Sequence, residues 1–86
     1  MKRALFPGTF DPFTLGHLDI TERSLKLFDE IVIGIGVNAS KKHLFSLKDR
    51  IRFIEETFQG NRKVVVKSFE GWTMDFCKKI EAQFIV

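Results

Sequence analysis

The sequence predicts a doubly wound α/β domain, a parallel sheet with helices on both faces, and two observations carry that prediction. Four short apolar runs, Ala4 to Phe6, Ile31 to Val37, Val64 to Val66 and Phe84 to Val86, alternate with three amphipathic stretches. The second run is apolar almost throughout, as a strand buried on both faces must be. Strand, helix, strand, repeated, implies right-handed crossovers and parallel pairing. The expected strand order is 3-2-1-4, with a ligand crevice between the carboxyl ends of strands 1 and 4.

The elements follow in order. After strand 1, a helix opens near Gly16 and runs to about Phe28, with Leu18, Leu25 and Phe28 on one face. Strand 2 carries Gly34 and Gly36, small residues that let a helix pack closely. Gly34-Ile35-Gly36 is not a dinucleotide fingerprint, because position 39 is Ala and the run lies in and at the end of a strand; no P-loop occurs either. The second helix begins at Ser46, a cap with Asp49 as its capping-box partner. Leu47, Ile51, Ile54 and Phe58 then recur at helical spacing until Gly60 supplies a stop. The third helix, Thr73 to Ala82, sets Phe76 and Ile80 one turn apart. Strand 4 is the last element of the sequence, and its outer edge would lie bare where a fifth strand should pair.

Size and charge narrow the function. The 86 residues make one small domain, which buries only about 60–65% of its unfolded surface. Fourteen Lys and Arg against 11 Asp and Glu give a net charge of +3, too small and scattered for a nucleic-acid surface. It suits small phosphorylated ligands. One cysteine, Cys77, excludes an intramolecular disulfide and fits a reducing, cytoplasmic setting. Cys77 shares a helix with Phe76 and Ile80 and reads as packing. Pro7 and Gly8 arrive before any signal-peptide core, and the longest apolar run is too short for a bilayer, so no membrane partner is expected.

The chemistry concentrates between strand 1 and helix 1, in Phe6-Pro7-Gly8-Thr9-Phe10-Asp11-Pro12-Phe13-Thr14-Leu15-Gly16-His17. Gly8 lets the backbone approach a bound group, and Thr9 offers a hydroxyl and an amide. Gly16 and His17 stand where free N–H groups at a helix start attract phosphate. The dipole contributes only ~0.3–1 kcal/mol at a surface, so side chains must discriminate. His17 can donate a ring N–H to a phosphate oxygen that gains charge during transfer. A helix start disfavours a cationic imidazole, so stability alone is a poor reason for it. Asp11-Pro12 reads as turn chemistry, with Asp11 capping its own turn, and Asp19 as a complement to the helix start. Lys41-Lys42 follows strand 2 at the ligand end, as a phosphate contact or a solvated pair. Thr73 is either an N-cap or a ligand contact.

Gly8-Thr9-Phe10-Asp11-Pro12 followed by Thr14-x-Gly16-His17 resembles the signature of the nucleotidylyltransferase superfamily, H-x-G-H or T-x-G-H. The Thr variant, with Leu18-Asp19-Ile20 after it, resembles the phosphopantetheine adenylyltransferase family. The likeness continues through Ser40-Lys41-Lys42, Phe45-Ser46-Leu47, Arg50 and Gly71-Trp72-Thr73-x-Asp75-Phe76. It implies a Rossmann-like fold, of which residues 1–86 form the amino-terminal half, and adenylyl transfer from ATP to phosphopantetheine. Thr9 would contact both substrates, the Phe10 backbone and His17 would hold ATP, and His17 would stabilise the transition state. Lys41, rather than Lys42, would bind the phosphate of phosphopantetheine, and Thr73 would lie along its pantetheine arm. Mg²⁺ would bridge the ATP phosphates, and the protein would form a homo-oligomer. Trp72 replaces a smaller aliphatic residue, and the family's Arg-Gly-x-Arg segment would fall just beyond Val86. Two other readings remain: a cytidylyltransferase, against which Thr14 argues, and a non-catalytic phosphopantetheine-binding fragment.

Overall fold

The computed structural model describes residues 1–38, 40 and 42–86. Four strands, β1 (Arg3–Gly8), β2 (Glu30–Gly36), β3 (Val64–Phe69) and β4 (Phe84–Ile85), alternate with helices α1 (Leu15–Ser24), α2 (Leu47–Thr57) and α3 (Thr73–Lys79). All pairings are parallel and the order is β3-β2-β1-β4, the predicted Rossmann-like arrangement. The sheet is in register from Arg3 opposite Glu30 to Gly8 opposite Ile35, and from Ile31 opposite Val64 to Gly36 opposite Phe69.

Strand side chains alternate between faces, and each face meets its own helices. Ala4, Phe6, Ile31, Ile33 and Ile35 pack with Ile54 and Phe58 of the α2 segment and with Leu18, Leu25 and Phe28 of the α1 segment. Leu5 and Val32 turn the other way, onto Phe76, Cys77 and Ile80 of the α3 segment. Cys77 is thus core, with its thiol 3.5 Å from the Ala82 carbonyl. Thr21 and Ser24, buried on α1, donate their hydroxyls to the His17 and Ile20 carbonyls at 2.8 Å, so neither is unsatisfied against the sheet.

Gly34 is small for the expected reason. A Cβ there would lie 2.9 Å from Leu5 Cδ1 and 3.2 Å from the rings of Phe69 and Phe76. Phe69 and Phe76 stack nearly parallel, 4.4 Å apart, over that position.

Three helix expectations are revised. Helix α1 ends at Ser24, and the chain then turns through Leu25 to Leu27 before Phe28. Helix α3 ends at Lys79 rather than Ala82, and its N-cap is Trp72, with Thr73 as first helical residue; the capping reading of Thr73 therefore falls. Ser46 does cap α2 through Asp49 N–H at 3.1 Å, but Asp49 makes no return bond among the described residues and pairs with Arg52 instead. The reciprocal capping box is on α1, where it was not expected.

The amino-terminal ends of the strands are stitched together. Arg3 Nε donates to Glu30 at 2.6 Å and its Nη1 to the Ile80 carbonyl at 2.7 Å, tying β1 to β2 and to the α3 side. No described helix is long and apolar enough to cross a membrane.

Candidate active site

Helix α1 is capped by Thr14, whose Oγ1 accepts from His17 N–H at 3.3 Å. In return, Thr14 N–H donates to His17 Nδ1 at 2.9 Å. A backbone amide can only donate, so Nδ1 is the unprotonated nitrogen and Nε2 carries the proton. The ring is boxed by Phe10, Phe13 and Phe6, with centroids at 4.9, 5.4 and 6.1 Å. Nε2 has no hydrogen-bond partner among the described residues and is not sealed from solvent. The turn therefore holds a neutral imidazole whose Nε2–H is unpaired among the described residues. Asp19 plays no part in it: that carboxylate pairs with Arg23 one turn on.

Phe10 reaches this box by a left-handed backbone, with φ at 50°. Its ring folds back across Gly8, where a Cβ would meet ring carbons at 3.0–3.2 Å. A side chain at Gly8 would press on the Phe10 ring, a cause not seen from the sequence. The Phe10 side chain is buried, leaving only its backbone for any ligand.

A cleft of about 810 Å³ opens at the carboxyl end of the sheet, a volume suited to a small organic ligand. Its walls come from the ends of β1 (Gly8, Thr9), β2 (Asn38, His43) and β3 (Glu70 to Thr73). The crevice was expected between strands 1 and 4; this cleft lies over β1, β2 and β3, and no β4 residue lines it. Thr9 and Thr73 are brought together in it. His17 stands outside its lining, and Lys41 lies outside the described residues. Trp72, 80% exposed, forms part of the rim.

Three residues without an assigned ligand role shape this end of the molecule. Asp11 does not cap its own turn: its carboxylate accepts from Leu44 and Phe45 N–H, each at 2.7 Å, across more than thirty residues. Burial alone would raise its pKa, but those two amides, Phe45 first, and the charges of Arg50 and His43 bring it below its ordinary value. Arg50, 2% exposed, donates to the Phe45 carbonyl at 3.1 Å and to the Thr9 carbonyl at 2.9 Å. Together Asp11 and Arg50 lash the loop before α2 onto the loop after β1. His43 belongs to that lashing, with Nδ1 3.5 Å from Asp11 Oδ2. Its signal in the sequence was present: a histidine two places past Lys41, at the ligand end of a buried strand.

A parallel 3-2-1-4 sheet whose first crossover sets Thr-x-Gly-His at a helix start is a nucleotidyltransferase architecture. The chain belongs to the cytidylyltransferase-like family, whose profile matches residues 5–86. It is 62% identical to the phosphopantetheine adenylyltransferase of Flavobacterium psychrophilum and 44% identical to that of Bacteroides fragilis. Both matches take in all of this chain and 57% of the relative, so the chain spans little more than half the length of these curated relatives. Among solved structures, a bifunctional NMN adenylyltransferase/ADP ribose pyrophosphatase from Francisella tularensis, complexed with AMP and a Mn ion, is similar with a TM-score of 0.70 at 26% identity. That likeness covers 90% of this chain and 25% of the other.

Proposed function

We propose that the protein transfers the adenylyl group of ATP to phosphopantetheine, reversibly, giving dephospho-coenzyme A and pyrophosphate, with residues 1–86 forming the amino-terminal half of its one catalytic domain. An oxygen of the acceptor phosphate attacks the α-phosphorus of ATP, and the bond from that phosphorus to the pyrophosphate oxygen breaks. No covalent enzyme intermediate is needed. The observation that carries the reading is the Thr14–His17 capping box, which occupies Nδ1 and leaves Nε2–H of a neutral imidazole unpaired among the described residues. Such a donor favours the phosphate oxygens as they gain charge, without a proton having to be lost or found.

In this reading Thr9 and the Phe10 backbone meet the ATP phosphates, and Thr9, Lys41 and Thr73 meet the acceptor. Thr9 and Thr73 facing one cleft supports that division. A divalent cation, Mg²⁺ in our reading, would travel with ATP and offset the charge of its phosphates. Among the described residues no group of three or more His, Cys, Asp or Glu could hold a metal ion, so these residues do not supply a metal cage and no step is assigned through one. The protein is read as a homo-oligomer, as the family resemblance implies. We place the enzyme in the cytoplasm.

Pyrophosphate release from ATP, with and without phosphopantetheine, tests this beside His17→Ala. Release that requires both substrates and collapses in the variant supports it. Release with CTP in place of ATP would favour the cytidylyltransferase reading, and acceptor binding with no turnover would favour the binding fragment.

A further inference from the structure

Resting on that acceptor assignment, we propose that His43 is a phosphate-selecting residue of the acceptor cleft, oriented for the task by Asp11. The ring lines the cleft with Thr9 and Asn38. Its side chain and that of Asp11 are only 20% and 11% exposed, and Nδ1 faces Oδ2 at 3.5 Å. At that distance the two form an ion pair whenever the ring is protonated. Asp11 is not free to move away, because the Leu44 and Phe45 amides hold both of its oxygens.

Nε2, on the other side of the ring, has no hydrogen-bond partner among the described residues and is not sealed off. With a phosphate in the cleft, a protonated ring would stand between two anions, Nδ1 toward Asp11 and Nε2–H toward a phosphate oxygen. Such charge-assisted bonds are roughly twice as strong as neutral ones.

The rest of the lining gives this placement a direction. Of the described side chains that line the cleft, His43 alone can become cationic. Asn38 Oδ1 is engaged by Ser40, whose N–H and hydroxyl donate to it at 3.0 and 2.6 Å. Glu70 brings negative charge on the β3 side and repels a phosphate there. The acceptor's phosphomonoester is thereby steered to the β1–β2 side, and its uncharged arm is left for the side of Trp72 and Thr73.

The test compares the affinities of the protein for phosphopantetheine and for pantetheine, which lacks the phosphate, by calorimetry. His43→Gln keeps a polar side chain of similar reach and removes the cation. We expect it to weaken phosphopantetheine about 10- to 100-fold, the worth of one hydrogen bond to a charged group, while pantetheine and ATP change less than about twofold on the scale of that same bond. His43→Arg should recover most of the lost discrimination, which a merely structural histidine would not explain. Independently of any variant, ¹⁵N spectra of the histidine rings should show the His43 Nε2 signal moving with phosphopantetheine and not with pantetheine. Equal weakening of both acceptors, or an unmoved His43 signal while phosphopantetheine binds, overturns the inference and leaves adenylyl transfer standing. Wild-type protein that binds no phosphopantetheine overturns the acceptor assignment, and this inference with it.

Discussion

The turn from β1 to α1 and the turn from β2 to α2 each carry one histidine at the carboxyl end of the same sheet, and they prepare it in opposite ways. His17 has its Nδ1 occupied by an amide donor, so Nε2–H is offered while the ring is neutral. His43 has its Nδ1 3.5 Å from a carboxylate oxygen, an ion pair when the ring is cationic, and then Nε2–H is offered with a charge behind it. The first turn is local, closed within residues 14–17. The second is held by Asp11 and Arg50 across more than thirty residues. One side chain type thus acquires two chemistries, decided by which partner its first nitrogen meets.

The largest expected effect lies in the local turn. His17→Ala should lower turnover ~10²–10³-fold, the usual loss for one transition-state donor, with acceptor affinity unchanged; steady-state pyrophosphate release measures it. An equal loss of acceptor affinity would erase the division of labour between the two turns. Next comes the long-range tie. Arg50→Ala leaves the Thr9 and Phe45 carbonyls without their donor and should destabilise the protein by about 1–3 kcal/mol, read by urea unfolding, with weaker acceptor binding as the loop loosens. Thr14→Ala removes the cap hydroxyl and should cost about 1 kcal/mol in the same assay. Because the amide that holds His17 remains, its turnover should fall less than that of His17→Ala.

The smallest effect is in pH. The folded-state pKa of Asp11 lies below its ordinary value, so its contribution to stability is fully present above the unfolded value, about 4. It disappears as pH falls through the lower, folded value. Unfolding curves of wild type and Asp11→Asn should therefore differ at neutral pH and converge in acid. A difference that persists unchanged at low pH would show that the carboxylate charge does not hold the second turn.

The elements were legible because periodicity reports burial. Leu47, Ile51, Ile54 and Phe58 sit against the sheet as their spacing requires, and Gly34 admits Phe76 as its small size suggested. The site was legible only where its geometry is local, as at Thr14 to His17, although even there the ring's role in a capping box was hidden. Asp11 was read as a partner of its own turn because an Asp beside Pro commonly is one. Its true partners, Leu44 and Phe45, donate from the backbone, which leaves no mark on residue identity. Arg50 stood among the residues of the family likeness, but its contacts were hidden for the same reason, since they too are to the backbone. His43 escaped because the lysines before it carry the more familiar phosphate chemistry.

Trp72 has a further consequence. It is the chain's single tryptophan, it stands on the rim of the cleft, and most of its surface is in water. The intrinsic fluorescence of these 86 residues thus comes from one indole beside the expected acceptor arm. A ligand that covers the ring will shift its emission to the blue, and one confined to the His17 turn will leave it unchanged. Occupancy of the cleft can thus be followed optically, without a label and without turnover.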